Sequence, residues 1–163
     1  MAWKLKLTLD HLILGAGIVF LALQIPEEGL FNFAAWAGQR GIIANFTVTT
    51  WLLQQPYFIL ALSLAYFIYR IDPGKFLPVG LGILVWGVIE FLGFFGLALA
   101  TGGYVPGLFS SMAYPLLALA GVRILRGEGK GSPCLALFAA ACGVLITALP
   151  IAAFFGVSGA LGI

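Results

Sequence analysis

The sequence predicts an all-α fold, a polytopic membrane helix bundle of five transmembrane helices forming one domain over residues 1–163. Three observations predict it. Of the 163 residues, 62% are hydrophobic and 9% charged, whereas a water-soluble domain carries about a quarter of its residues as Asp, Glu, Lys and Arg. Five stretches approach the roughly 20 apolar residues that a spanning helix needs. The basic residues fall into alternate connections between those stretches.

The first stretch, Leu7 to Ile25, follows Lys4 and Lys6 as the apolar part of a signal peptide would. It runs into Gln24, Pro26, Glu27 and Glu28 rather than the small residues of a cleavage site, and is read as a retained span. Pro26 to Arg40, with Leu30, Phe31, Phe33, Ala34 and Trp36, suits a short helix lying in the interface. The remaining spans are Ile42 to Tyr69, Phe76 to Thr101, Val105 to Leu125 and Cys134 to Val157. Asp72-Pro73-Gly74, Gly102-Gly103 and Gly127 to Pro133 break the helices between them. Small residues four apart, as in Gly96 with Ala100, Ala136 with Ala140 and Ala139 with Gly143, let helices approach closely in lipid.

Lys4, Lys6, Arg70, Lys75, Arg123, Arg126 and Lys130 all fall on one side of this arrangement, and Arg40 alone on the other. The positive-inside rule then places the N-terminus in the cytoplasm and the C-terminus outside, in the cell (plasma) membrane. Trp3, Trp36 and Tyr104 near span ends fit an interfacial aromatic belt.

Composition also excludes function classes. A net charge of +2 without a basic run interleaved with aromatics gives no footprint for nucleic acid. Cys134 and Cys142 are eight residues apart on one predicted helix, about 12 Å by helix rise, beyond the roughly 7 Å limit for a disulfide. His11 is the only histidine, so no zinc-type cluster can form and no metal is expected. At the boundary of the first span His11 is read as an interfacial residue, with an axial ligand to a pigment or haem as the alternative. No cofactor is otherwise implied.

Function in a membrane protein concentrates where a polar group is kept in hydrocarbon at a cost, and the leading case is Glu90. It lies about 16 Å from the outer end of its helix, with no intramembrane Lys or Arg to pair with it. Gln54 and Gln55 lie roughly 18 Å in from the same side, and Pro56 frees a backbone carbonyl one turn before itself. Asn45, Thr47, Thr49 and Thr50 lie above them, and Tyr104, Pro106, Ser110 and Ser111 open the fourth span. Gln24, Glu27 and Glu28 close the first. The pattern points to a polar pocket in the outer half of the bundle, with Glu90, Gln54, Gln55, Gln24, Glu27, Glu28, Tyr104 and Ser111 as candidate ligand-binding residues. Five of these carry an alternative: Gln54 and Gln55 as hydrogen-bonded packing between helices, Glu90 as a neutral, hydrogen-bonded core carboxyl, and Glu27 and Glu28 as first-turn acids of an interfacial helix opened by Pro26.

Gln24-Ile25-Pro26-Glu27-Glu28, then Phe33-Ala34-Ala35-Trp36, then Tyr104-Val105-Pro106-Gly107 together resemble the HXXEE-domain family of bacterial membrane proteins. The resemblance covers roughly residues 10 to 126. That family places an acidic pair at the end of its first span and a Tyr-x-Pro-Gly turn at the opening of a later one. Its motif histidine corresponds to Gln24, and a second histidine of its third span has no counterpart, although Glu90 lies in that region. In the family the histidines and carboxylates look like a metal or acid–base site. Gln24 cannot titrate, and an amide oxygen is a poor transition-metal ligand, so the resemblance implies a shared scaffold rather than shared chemistry.

The reading that follows is a membrane protein binding a lipid-like molecule, an apolar body with a polar head, in the outer-half pocket. Its partners are membrane lipids, together with other membrane subunits or a second copy of itself, and no nucleic acid. Alternatives from other classes are an enzyme using Glu90 as general acid or base, a proton-coupled transporter, and a structural or cofactor-holding subunit of a larger membrane complex. The enzyme lacks a recognisable nucleophile or phosphate loop, and the transporter lacks an internal repeat.

Overall fold

The computed structural model describes residues 7–43 and 46–161, so Trp3, Lys4, Lys6 and Asn45 lie outside the described residues. Among those described, every regular element is a helix. Five are long and apolar enough to cross a membrane: Leu9–Leu30, Val48–Ile71, Leu77–Thr101, Leu108–Gly127 and Pro133–Val157. Large side chains such as Leu30, Leu99, Leu116 and Leu137 point outward on all sides, as in a bundle whose solvent is lipid.

The first span starts at a capping box. Thr8 accepts the backbone N–H of His11, whose ring returns to the Thr8 backbone N–H, satisfying two orphan donors. His11 is therefore an exposed cap at the helix start. Buried positions then follow at 12, 16, 20, 24 and 28, a strict four-residue spacing that drifts by about 40° per step on an ideal α-helix. A π turn at Phe20–Gln24 takes back part of that drift, since its wider turn holds more residues. Gln24 and Glu28 consequently stay on the inward face.

The helix continues through Pro26 to Leu30, directly after the π turn, where the wider backbone relieves the proline ring's contact with the preceding turn. This corrects the expected boundary at Ile25. Pro26 to Leu30 belongs to the first span, and the short helix is Phe33–Gln39 alone. Asn32 separates the two in a left-handed conformation, φ 51°, and its side chain caps Ala35 N–H at 3.1 Å. Glu27 and Glu28 are thus not first-turn acids of an interfacial helix.

Thr47 caps the second span, which begins at Val48 rather than Ile42. Asp72 ends it and closes the tight turn to the third by accepting the Gly74 and Lys75 N–H groups, both at 3.0 Å. The third span is the centre of the bundle, packed against the other four, and Trp86 on it is wholly buried. It meets the fifth most closely where Gly82 lies against Cys142 and Gly143. Of the small-residue pairs, Ala139 with Gly143 packs inward, while Gly96 and Ala100 face outward. The fourth span is interrupted at Met112 and lies against the first and third.

Short connections force the spans to alternate in direction, so the bundle has two unlike ends. Arg70, Lys75, Arg123, Arg126 and Lys130 gather at one, where Asp10 accepts from Arg70 at 3.0 Å and from the Tyr69 hydroxyl. Glu27, Glu28, Trp51 and Tyr104 gather at the other.

Candidate ligand-binding cavity

Glu27 and Glu28 are neighbours in sequence with separate destinations. About 100° of helical rotation divides them. Glu27 turns toward the loop that opens the fourth span, where one carboxylate oxygen accepts the Tyr104 hydroxyl at 2.6 Å and the N–H groups of Gly107 and Phe109 at 3.1 and 3.2 Å. The other accepts Ser110 N–H at 2.7 Å. These N–H groups open a helix and have no partner within it, so Glu27 caps the fourth span from the end of the first. Burial, and then the Glu27 carboxylate beside it, raise the Tyr104 hydroxyl above the ordinary tyrosine pKa. Gly107 is held at φ 97°, and a Cβ there would stand 2.8 Å from Phe94 and 3.1 Å from Glu28, so the turn requires glycine at that position.

Glu28 turns into the bundle and is 5% exposed. Trp51 Nε1 donates to its Oε2 at 2.7 Å and Gln24 Nε2 to its Oε1 at 2.9 Å. The Tyr114 hydroxyl donates to Gln24 Oε1 at 2.6 Å. Tyr114, Gln24, Glu28 and Trp51 thus form one chain of hydrogen bonds across the fourth, first and second spans. Each member has its partner, as a buried polar network requires.

Beside this chain is a cavity of about 210 Å³ lined by Gln24, Glu28, Gln54, Gln55 and Glu90. The rest of its wall is apolar and largely aromatic, from Phe20, Phe33, Phe46, Trp51, Phe58 and Phe94. Glu90 is partly buried, next to Glu28, Gln24 and Trp86. Gln55, 9% exposed, and Gln54 bring two amides to the cavity that have no hydrogen-bond partner among the described residues. Trp86 Nε1 is fully buried beside Glu90 without a partner of normal geometry. The site therefore divides into a satisfied half, Gln24 with Glu28, and a half without hydrogen bonds of normal geometry among the described residues, Glu90 with the two glutamines and the Trp86 indole.

Five of the eight residues expected from sequence meet at this cavity. Glu27 and Tyr104 form the adjacent cap instead. Ser111 is wholly buried in the fourth span, where its hydroxyl donates to the Leu108 carbonyl at 2.8 Å, away from the cavity wall. Sequence reasoning missed Trp51, Tyr114 and the aromatic wall. Trp51 was within reach of it, since Trp51, Gln55 and Phe58 occupy one helical face at four- and three-residue spacing.

A larger cavity, about 480 Å³, lies between the third, fourth and fifth spans toward the basic end. Its wall is apolar apart from Arg126 and Ser132 at the rim. Such a groove accepts lipid tails but offers nothing to orient a ligand, which takes a few convergent polar groups. No group of three or more His, Cys, Asp or Glu side chains among the described residues is placed to hold a metal ion. No family model, curated protein or solved structure matches the chain.

Proposed function

We propose that this multi-pass membrane protein is a binding protein for a lipid-like molecule, whose polar head enters the cavity at Glu90 and whose apolar body remains among the spans and the surrounding lipid. The observation that carries the reading is the half of the site without hydrogen bonds of normal geometry among the described residues. Buried polar side chains are normally hydrogen-bonded, and here the buried Gln55 and the partly buried Gln54 and Glu90 converge on open volume. The size fits a head rather than a whole ligand, because pockets that enclose a drug-sized molecule run to about 300–1,000 Å³. Gln24 and Glu28, already engaged with Tyr114 and Trp51, hold the wall in shape.

Membership of the HXXEE-domain family is part of this proposal. It is supported by the common physical purpose of the resembling segments, since Glu27 of the acidic pair accepts hydrogen bonds from Tyr104 and Gly107 of the Tyr-x-Pro-Gly turn. The proposed residence is the cell membrane, and the positive-inside rule supports a cytoplasmic basic end with the cavity toward the outside.

Native mass spectrometry of the gently extracted protein tests the proposal, comparing wild type with Glu90→Gln and Gln54→Ala. A small molecule retained by wild type and lost or weakened in both variants is the expected result. Identical lipid content and stability in all three proteins removes the binding function. A stable assembly with other chains, unchanged by either substitution, makes the protein a structural subunit instead.

A further inference from the structure

We infer that the head group held at this cavity is a cation, an ammonium carried on an apolar chain. The inference rests on the binding function proposed above and names its ligand class. Two carboxyl groups, Glu28 and Glu90, line the cavity, and among the described residues no Lys, Arg or His contributes to its wall. The ion pairs among the described residues are elsewhere, Asp10 with Arg70 and Glu128 with Lys130. An anionic head, a phosphate or carboxylate, would meet two acidic groups with no countercharge. A neutral alcohol would satisfy an amide and leave the carboxyl pair as it was. An ammonium supplies the charge that the wall lacks, in a medium where water weakens the attraction little.

The aromatic residues point the same way by a separate argument. Phe33 and Phe94 meet edge to face at 5.8 Å, and Phe20 and Phe58 stand at 6.2 Å, so rings from the first, second and third spans and from the short helix line the same cavity as the carboxyls. Ring faces attract cations, and a cage of them with acidic groups is a recurrent receptor for ammonium ligands. Gln55 is the independent sign that something belongs there: the residue is nine-tenths buried, its side chain lines the cavity, and it has no hydrogen-bond partner among the described residues.

The test uses the whole protein in neutral maltoside micelles and four probes of equal chain length: octyltrimethylammonium, 1-octanol, octanoate and octyl phosphate. Octyltrimethylammonium is expected to bind about ten-fold or more tighter than octanol by calorimetry, with the two anions weakest. Glu90→Gln and Phe58→Leu are each expected to remove most of that preference, with the ammonium losing more affinity than octanol. The Phe58 variant retains both acids, so the aromatic contribution is read even where the Glu90 variant folds poorly. Octanol or an anion binding as tightly as the ammonium overturns the cation inference and leaves the binding function standing. Full displacement of the ammonium by equimolar calcium chloride assigns the site to an inorganic cation and also overturns it. Absence of binding by every probe to wild type removes both.

Discussion

Trp51 donates its indole N–H to Glu28 Oε2 at 2.7 Å, and this bond ties the second span to the end of the first. It holds Glu28 in one rotamer beside the cavity and gives the aromatic wall a fixed edge. Trp51→Phe keeps the packing and deletes the donor. A buried acceptor left without its partner costs about 1–3 kcal/mol, so the melting temperature in detergent should fall. Combined with Glu28→Leu, the loss should be smaller than the sum of the single losses, with a coupling of about 0.5–3 kcal/mol between contacting residues. Strict additivity would show that the two side chains do not share this bond.

Glu27 offers a different prediction, because its partners are mostly backbone. Glu27→Ala orphans three N–H groups at the start of the fourth span and should be more destabilising than Tyr104→Phe, which removes one exposed hydroxyl bond. Substituting a helix-capping acceptor costs about 0.5–2 kcal/mol. Proteolysis of the 102–107 turn is a convenient local readout, and equal protection in Glu27→Ala and wild type would count against the cap.

The same pair has a spectroscopic signature. Burial and the Glu27 carboxylate both hold the Tyr104 proton on. The phenolate therefore forms at higher pH than in an ordinary tyrosine, and the stability linked to that proton is lost only as pH rises through the raised value. In the difference titration at 295 nm between each background and its Tyr104→Phe counterpart, Glu27→Gln should move the transition back toward lower pH. A shift in the opposite direction would contradict the assigned contact.

Helix approach at Gly82 and Gly143 can be tested against Gly96. A Cβ on Gly82 would lie 2.5 Å from the Cβ of Cys142, and one on Gly143 would lie 2.6 Å from Val85. Alanine at either position must separate the third and fifth spans, at a cost of about 1–3 kcal/mol for overpacking. Gly96 has no atom within 4 Å of such a Cβ. Gly96→Ala should be neutral or raise stability by up to about 1 kcal/mol through helix propensity. Unfolding in mixed micelles ranks the three variants, and a destabilised Gly96→Ala would reverse this assignment of faces.

Composition and periodicity by themselves determined that five apolar helices exist, roughly where they lie, and that Gln54, Gln55 and Glu90 lie at a comparable depth, with Gln24 nearer the outer end. These are properties of a chain in lipid: a span must be long and apolar, short connections alternate its direction, and depth follows from helix rise. Facing was not available in the same way. Pro26 read as a helix boundary, because proline breaks an ideal α-helix, and only the π turn ahead of it carries the first span on to Leu30. That extension decides that Glu28 enters the cavity wall while Glu27 caps the fourth span. Tertiary packing also decides that Trp51 and Tyr114 serve the polar chain and that Ser111 does not reach the cavity. The physical reason is that a hydrogen bond between spans depends on the rotation of two helices about their axes. That rotation is set by contacts such as Gly82 with Gly143, which join residues far apart in sequence.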